Sequence, residues 1–222
     1  MYNTILAFDS SISNCSVALL HKNNIYRKNK LCNKNQTKYI LPMIKQLLIE
    51  NYITLNEIDI ILISKGPGNF IGTRTTIAVA QGLALGLKIP IIAFPTTLIM
   101  AEQAWKMFHN NKVLVLLKIN NSLLYVIQYV KNEKCYWTQQ TSEIILSIEQ
   151  TIRKISTFQT PWIIVGNSSK LFLNNVCKHL IVTNIAFPQS EFIISLYLSH
   201  KIYQNYKNSY KISPMYYRQI IY

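Results

Sequence analysis

Apolar residues open the chain in short unbroken runs, then shift to helical spacing, and the order of these shifts outlines the fold. Thr4 to Phe8 is a strand-like run that stops at Asp9; Ser10, Ser11, Ser13 and Asn14 form a polar turn before a second strand, CSVALL. HKNN supplies a hairpin turn, and IYRKNKL alternates loosely, as an edge strand with one wet face does. From Gln36 to Glu50 the period changes: Ile40, Leu41, Ile44, Leu47 and Leu48 recur at helical spacing, with Pro42 predicting a bend or a short opening turn. IDIILIS is a buried strand, and a second helix spans Thr73 to Leu87. KIPIIAF is a further strand ended by Pro95, after which Thr96 or Thr97 caps a helix reaching about Met107.

The polar FHNNK marks a boundary, because a new order of strands follows it. VLVLLKI, SLLYVIQYV and KCYWTQQ predict a three-stranded antiparallel set like the opening one. Helical patterning runs through SEIILSIEQTIRKI with Ser142 as its cap; PWIIVG is a buried strand, NSSKLFLNNVCKHL a short helix with a turn, and SEFIISLYLSHKIYQNY the last helix. The tail ISPMYYRQIIY is too aromatic for a casual solvated end. Strands, helix, strand, helix in each half predict an α/β protein of two duplicated domains, residues 1–108 and 109–222, each a mixed sheet with flanking helices.

Half of the 222 residues are apolar, which excludes global disorder. The start carries no basic region of an export signal, and no window approaches 18 uninterrupted apolar residues; a cytoplasmic protein without a membrane span is expected. Cys15, Cys32, Cys135 and Cys177 lie far apart, as reduced, mostly buried thiols do. The four histidines show no metal-ligand spacing. The net charge of +14 favours a polyanion or an acidic protein surface, although the lysines are scattered and read equally well as solvated faces.

Candidate chemistry gathers in KGPGNFIGTR. Gly66, Gly68 and Gly72 follow a buried strand and precede a helix, a context that can aim backbone amides at a phosphate or carboxylate. The segment is neither a P-loop nor GxGxxG, and a tight strand-to-helix connection explains the glycines equally well. Arg74 clamps an anion or pairs with an acidic neighbour. Along the second helix Ala78, Gly82 and Gly86 recur every four residues; such a stripe lets helix backbones approach closely.

ILAFDSSISNCSVAL, YILPMIKQLL, GPGNFIGTRTTIAVAQGLALG and the final PMYYRQ together resemble the bacterial TsaB family, which is similar in fold to actin-like (ribonuclease H-like) ATPases. The resemblance covers the first 108 residues and, beyond them, chiefly the tail motif. It implies a scaffold that pairs with TsaD, the catalytic and metal-bearing protein, in making threonylcarbamoyladenosine at position 37 of tRNAs that read codons beginning with A. TsaE, an ATPase, joins that assembly, which takes ATP, magnesium and the metal in TsaD; this chain itself is expected to bind no cofactor strongly. Carried onto these residues, the partner surface is the ridge Ile40, Ile44 and Leu47 with the stripe Ala78, Gly82 and Gly86. Homodimerisation of the isolated chain stays open.

The superfamily likeness also places Asp9, Ser10 and Ser11 at an early phosphate-handling turn, with Gly66, Gly68, Gly72 and Arg74 as further anion or nucleotide contacts. A weak ATPase or kinase built on them is the alternative function. Only one other aspartate, Asp59, is present, and VGNSS is a poor adenosine site, so the second domain is expected to be degenerate. Where relatives carry an Asp-Ala-Arg-like turn, this chain has Lys118, Ile119 and Asn120.

Overall fold

The computed structural model describes residues 2–32, 35–141, 144–175, 179–199 and 211–216. These fall into two compact units. One holds the described residues up to Ile99 together with those of Pro188–Tyr216; the other runs from Met100 to Phe187. The break falls before the expected division at residues 108 and 109, and the last helix joins the first unit; the tail's return to the first domain, left open by the sequence, is seen in residues 211–216.

The first unit is built on a sheet of β1 (Thr4–Asp9), β2 (Asn14–His21), β3 (Asn24–Leu31), β4 (Ile60–Ser64) and β5 (Ile91–Phe94), in the order β3-β2-β1-β4-β5. β1, β2 and β3 form an antiparallel meander, and β4 and β5 run parallel to β1. Every residue of β1 and β4 is buried, as both faces are covered. On one face Leu6, Phe8, Val17, Leu19, Ile61 and Ile63 meet α1 (Gln36–Glu50) and α2 (Phe70–Leu87). α5 (Glu191–Ser199) packs on β1, β2 and β4 outside that cluster, burying Ile193, Ile194, Leu196 and Tyr197. Ser190 ties its start to β2: its amide donates to Ser16 Oγ at 2.8 Å, and its hydroxyl donates to the Ser16 carbonyl.

Pro42 lies inside α1 without ending it, on an exposed face where the carbonyl it frees can be hydrated. α2 begins at Phe70, three residues before the expected Thr73, and ends at Lys88 in the left-handed conformation. α3 (Thr96–Phe108) starts at Thr96 itself, directly after Pro95.

The second unit centres on β6 (Lys112–Lys118), with β7 (Leu123–Lys131) antiparallel on one side and β10 (Trp162–Val165) parallel on the other. β11 (Leu180–Val182) adds beyond β10, while β8 (Trp137–Gln139) and β9 (Ile144–Ser147) both pair with β7. The pairings around β6 repeat those around β1: an antiparallel neighbour on one side, two successive parallel strands on the other.

Two expectations change here. Ile144, Ile145 and Leu146 are strand, because they pair with Val126, Tyr125 and Leu124 and so satisfy their backbone on β7. Helix α4 (Ile148–Ser156) starts only after Ser147, whose hydroxyl accepts from the Gln150 amide at 3.1 Å while Gln150 Oε1 accepts from the Ser147 amide at 2.9 Å. The expected cap Ser142 lies outside the described residues. The segment expected as a short helix with a turn holds a 3₁₀ stretch, Ser169–Asn175, and is followed by β11, a strand the sequence pattern does not predict. Cys15 and Cys32 are buried free thiols, Cys135 is exposed and free, and Cys177 lies outside the described residues. No described helix is long and apolar enough to cross a membrane.

One buried ion pair fixes the second unit. Lys131 Nζ lies 2.7 Å from Glu102 Oε2 and 3.2 Å from the centre of the Trp105 ring, and Trp137 Nε1 donates to the same carboxylate oxygen at 2.8 Å. Burial pulls the Lys131 ammonium below its ordinary range, and the Glu102 carboxylate opposes that pull.

Candidate functional site

The turn after β1 is closed. Asp9, Ser10 and Ser11 are all fully buried. Asp9 Oδ1 accepts from the Ser11 amide at 3.1 Å and, through a short contact, from the Ser64 hydroxyl. Burial pushes its carboxyl up to about 6, against the lowering effect of those Ser11 and Ser64 hydrogen bonds. The Ser10 amide donates to Thr76 Oγ1 at 2.9 Å, and its hydroxyl donates to the Gly72 carbonyl at 2.9 Å. The Asn69 amide donates to the Ser11 carbonyl at 2.6 Å, and Thr96 Oγ1 donates to Ser11 Oγ at 3.1 Å.

This network explains the glycines. A Cβ on Gly72 would overlap the Ser10 carbonyl, and one on Gly68 would overlap the Ser11 carbonyl. The segment is a close connection, pressed on the turn so that no side chain fits between them. Asp9, Ser10, Ser11, Gly68 and Gly72, expected as anion contacts, lie packed and hydrogen-bonded within this closed turn, with Asp9 Oδ2 buried and unbonded.

Gly66 and Arg74 serve the tail. Residues 211–216 return to this unit, where the Met215 amide donates to the Lys65 carbonyl at 2.6 Å. Gly66 sits at φ +95, and its open side is filled by the Met215 carbonyl. Arg74 Nε donates to the Tyr216 hydroxyl at 2.7 Å, and its guanidinium stacks 3.7 Å from the Phe70 ring, which in turn stacks on Tyr216. Arg74 thus ties the tail's Tyr216 to the Phe70 ring at the start of α2. Of the tail motif, Tyr217, Arg218 and Gln219 lie outside the described residues.

The two helices divide the expected partner surface. Ile40, Ile44 and Leu47 are buried to within 2% against the sheet, so they are corrected from partner contacts to core. Full burial of such a side chain is worth about 1.5–3 kcal/mol, and the helix's strongest apolar face goes to the sheet, where that gain is permanent. Ala78, Gly82 and Gly86 do lie on the exposed face of α2, and a Cβ on either glycine meets nothing within 4 Å.

Beside that stripe, sequence reasoning missed a second, outward apolar row: Leu41 is 48% exposed, Ile49 62% and Leu85 61%. Leu41, Ile49, Leu55 and Leu83 wall an open groove of about 710 Å³ whose floor includes Ile44 and Leu48. The signal was present in the sequence as apolar residues off the core stripe, at positions that a single-faced surface helix fills with polar ones.

In the second unit, Lys118 ends β6 as Asp9 ends β1. Asn120 Oδ1 accepts from the Ser122 and Leu123 amides at 2.9 and 2.8 Å, which makes the departure at Lys118, Ile119 and Asn120 a side-chain-closed hairpin turn. Gly166, at φ +122, lies against the Leu116 carbonyl, so VGNSS packs its glycine on β6. Among the described residues, no three His, Cys, Asp or Glu side chains converge as metal ligands.

Residues 23–191 match the family model described as TsaD, tRNA N6-adenosine threonylcarbamoyltransferase. A tRNA threonylcarbamoyladenosine biosynthesis protein TsaB from Buchnera aphidicola subsp. Baizongia pistaciae is 46% identical over 97% of this chain and 98% of its own length. The protein of the same description from Buchnera aphidicola subsp. Schizaphis graminum is 35% identical, covering 90% of this chain and 95% of its own. A crystal structure from Pseudomonas aeruginosa, of an uncharacterized protein with similarity to peptidase YEAZ, superposes with a TM-score of 0.84 at 25% identity over 97% of this chain and 100% of that one.

Proposed function

This chain belongs to the TsaB family of tRNA threonylcarbamoyladenosine biosynthesis proteins, and on that footing we propose that it is the non-catalytic, activating companion of TsaD in threonylcarbamoyl transfer to N6 of adenosine 37. The carrying observation is a contrast within the first unit. The turn that could have served phosphate chemistry is packed shut, while α1 and α2 leave a small-residue stripe and an apolar groove open. A contiguous apolar opening of this kind marks a protein contact.

In this reading ATP, magnesium and the metal of the reaction belong to TsaD and TsaE, and the chain works in the cytoplasm. Its second unit is a degenerate copy of an actin-like domain; support comes from the repeated strand pairings combined with Lys118 where the first unit has Asp9. The positive charge of the assembly draws tRNA toward it. The turn's serines bonded to α2, and its carbonyls pressed on Gly68 and Gly72, weigh against the alternative ATPase or kinase.

Reconstitution of the tRNA modification with this chain omitted is the test, together with its co-purification with the cognate TsaD. Transfer must fall to background without the chain and return when it is added. Equal transfer in its absence, or magnesium-dependent ATP turnover by the chain alone that Asp9→Ala abolishes, sinks the reading.

A further inference from the structure

The second unit has an open cleft at the end of its sheet where β6 begins. Residues 108–112 line it on one side and Thr160, Pro161 and Ile181 on the other, around about 680 Å³, a volume in the range of a small-ligand site. Two asparagines fix its walls. Asn110 Oδ1 accepts from the Lys112 amide at 2.9 Å and its Nδ2 donates to the Pro161 carbonyl at 3.3 Å, while Asn111 Nδ2 donates to the Lys131 carbonyl at 3.3 Å.

The other lining groups have chemistry to spare. Lys112 Nζ donates to the Thr160 hydroxyl at 2.9 Å, a neutral partner, and enters no ion pair among the described residues, so its charge is uncompensated. His109 follows α3 at φ +55, a place where glycine or asparagine is usual, and brings an imidazole to the cleft. The Phe108 ring is 43% exposed. Residues 103–132 and 150–190, which supply the whole lining, contain no Asp or Glu. The chain reaches Thr160 from the last turn of α4, which adds Arg153 and Lys154. Glu102 is neutralised by Lys131, and neither Glu133 nor Glu149 lines the cleft.

On the reading of the chain as TsaD's companion in tRNA modification, we propose that this cleft takes a single-stranded segment of the tRNA, with Lys112 on a phosphate, His109 on a phosphate or ribose oxygen and a base stacked on Phe108. A positive groove beside an exposed ring is what a nucleotide answers with both of its parts, phosphate and base. A carboxylate of an acidic protein answers the cation alone. A duplex keeps its base faces stacked on one another, so the ring selects an unpaired segment. All the lining residues belong to the second unit, so the contact is built without the helices of the first.

The test measures tRNA affinity of the full-length chain in complex with TsaD over a series of NaCl concentrations. Lys112→Gln is expected to weaken binding about threefold at about 100 mM NaCl and to lower the slope of log affinity on log salt by about 1, as loss of one phosphate contact does. Phe108→Leu keeps apolar bulk without the ring, and about a fivefold loss with an unchanged slope is expected. Thermal melting and TsaD affinity equal to the parent's show that the variants fold and pair. Ultraviolet cross-linking of the parent complex to tRNA needs no variant and should leave adducts on residues 108–112. Unchanged tRNA affinity in both variants, adducts only elsewhere, or no tRNA binding by the parent complex overturns the inference alone, provided that transfer still requires the chain. Poly-glutamate binding that Lys112→Gln abolishes, with tRNA affinity untouched, gives the cleft to an acidic protein and also overturns it. Transfer that proceeds equally without the chain overturns both the inference and the companion reading.

Discussion

The carbonyl of Ser10 lies against the α-carbon of Gly72, so close that no side chain fits between them. Gly72→Ala must therefore push α2 away from the β1 turn and strain the hydrogen bonds that Ser10 makes with Thr76 and Gly72. The expected cost is about 2–3 kcal/mol of unfolding free energy, the upper part of the range for overpacking, because the obstruction is backbone. Urea unfolding checks it; a midpoint equal to the parent's would show that the turn yields freely.

Asp9 gives the fold a pH dependence of unusual sign. Its carboxyl is held at about 6 in the folded state against an ordinary 3.8, chiefly by burial, so the folded chain binds the proton more tightly than the unfolded one. The stabilising contribution is complete below about pH 4, is lost as pH rises to about 6, and is flat above that. The shift corresponds to about 3 kcal/mol. Asp9→Asn has no such proton, so the stability of the parent minus that of the variant should decline over this window. A difference that stays constant from pH 4 to 7 refutes the assignment.

Glu102→Gln leaves the Lys131 ammonium buried beside Trp105 without its counter-charge, and the expected loss is about 3–5 kcal/mol. The double change Glu102→Gln with Lys131→Met removes both charges and should recover most of that loss. Chemical denaturation of Glu102→Gln, Lys131→Met and the double variant completes the cycle with the parent; additive losses would mean that the pair is not coupled.

Gly82 has open space where a side chain would project. Gly82→Ala should stabilise the isolated chain by up to about 1 kcal/mol, through helix propensity alone. Gly82→Trp should leave thermal melting close to the parent's and reduce TsaD affinity at least about tenfold, because a bulky group holds a partner helix off the stripe. Parallel loss of melting temperature and affinity would put the residue in the internal core.

The core of this molecule was more legible than its surface. Helical spacing of Ile40, Ile44 and Leu47 located α1, yet the same spacing also suggested a partner ridge, since periodicity marks an apolar face without saying what covers it. The outward row of Leu41 and Ile49 is separated from the core row only by geometry. The glycines announced a tight connection, but their cause lies in the carbonyls of Ser10 and Ser11, about sixty residues away in the chain. Arg74 could be seen as unusual at a helix start, while its partner Tyr216 stands 142 positions later. β9 was hidden for the same reason: Ile144 to Leu146 suit either state, and pairing with β7 decides.

The return of residues 188–199 and 211–216 to the first unit sets an order on synthesis. A ribosome releases the β1 meander early, but the helix that covers its second face and the tail segment that fills the space beside Gly66 are translated only after the β6 sheet. The stretch Met100–Phe187 of the second unit can begin folding on the nascent chain, whereas the first unit waits with an uncovered sheet face until residues 188–199 and 211–216 have been made. A premature stop codon after Phe187 would accordingly keep the β6 sheet encoded in full and strip the sheet encoded first of its second cover.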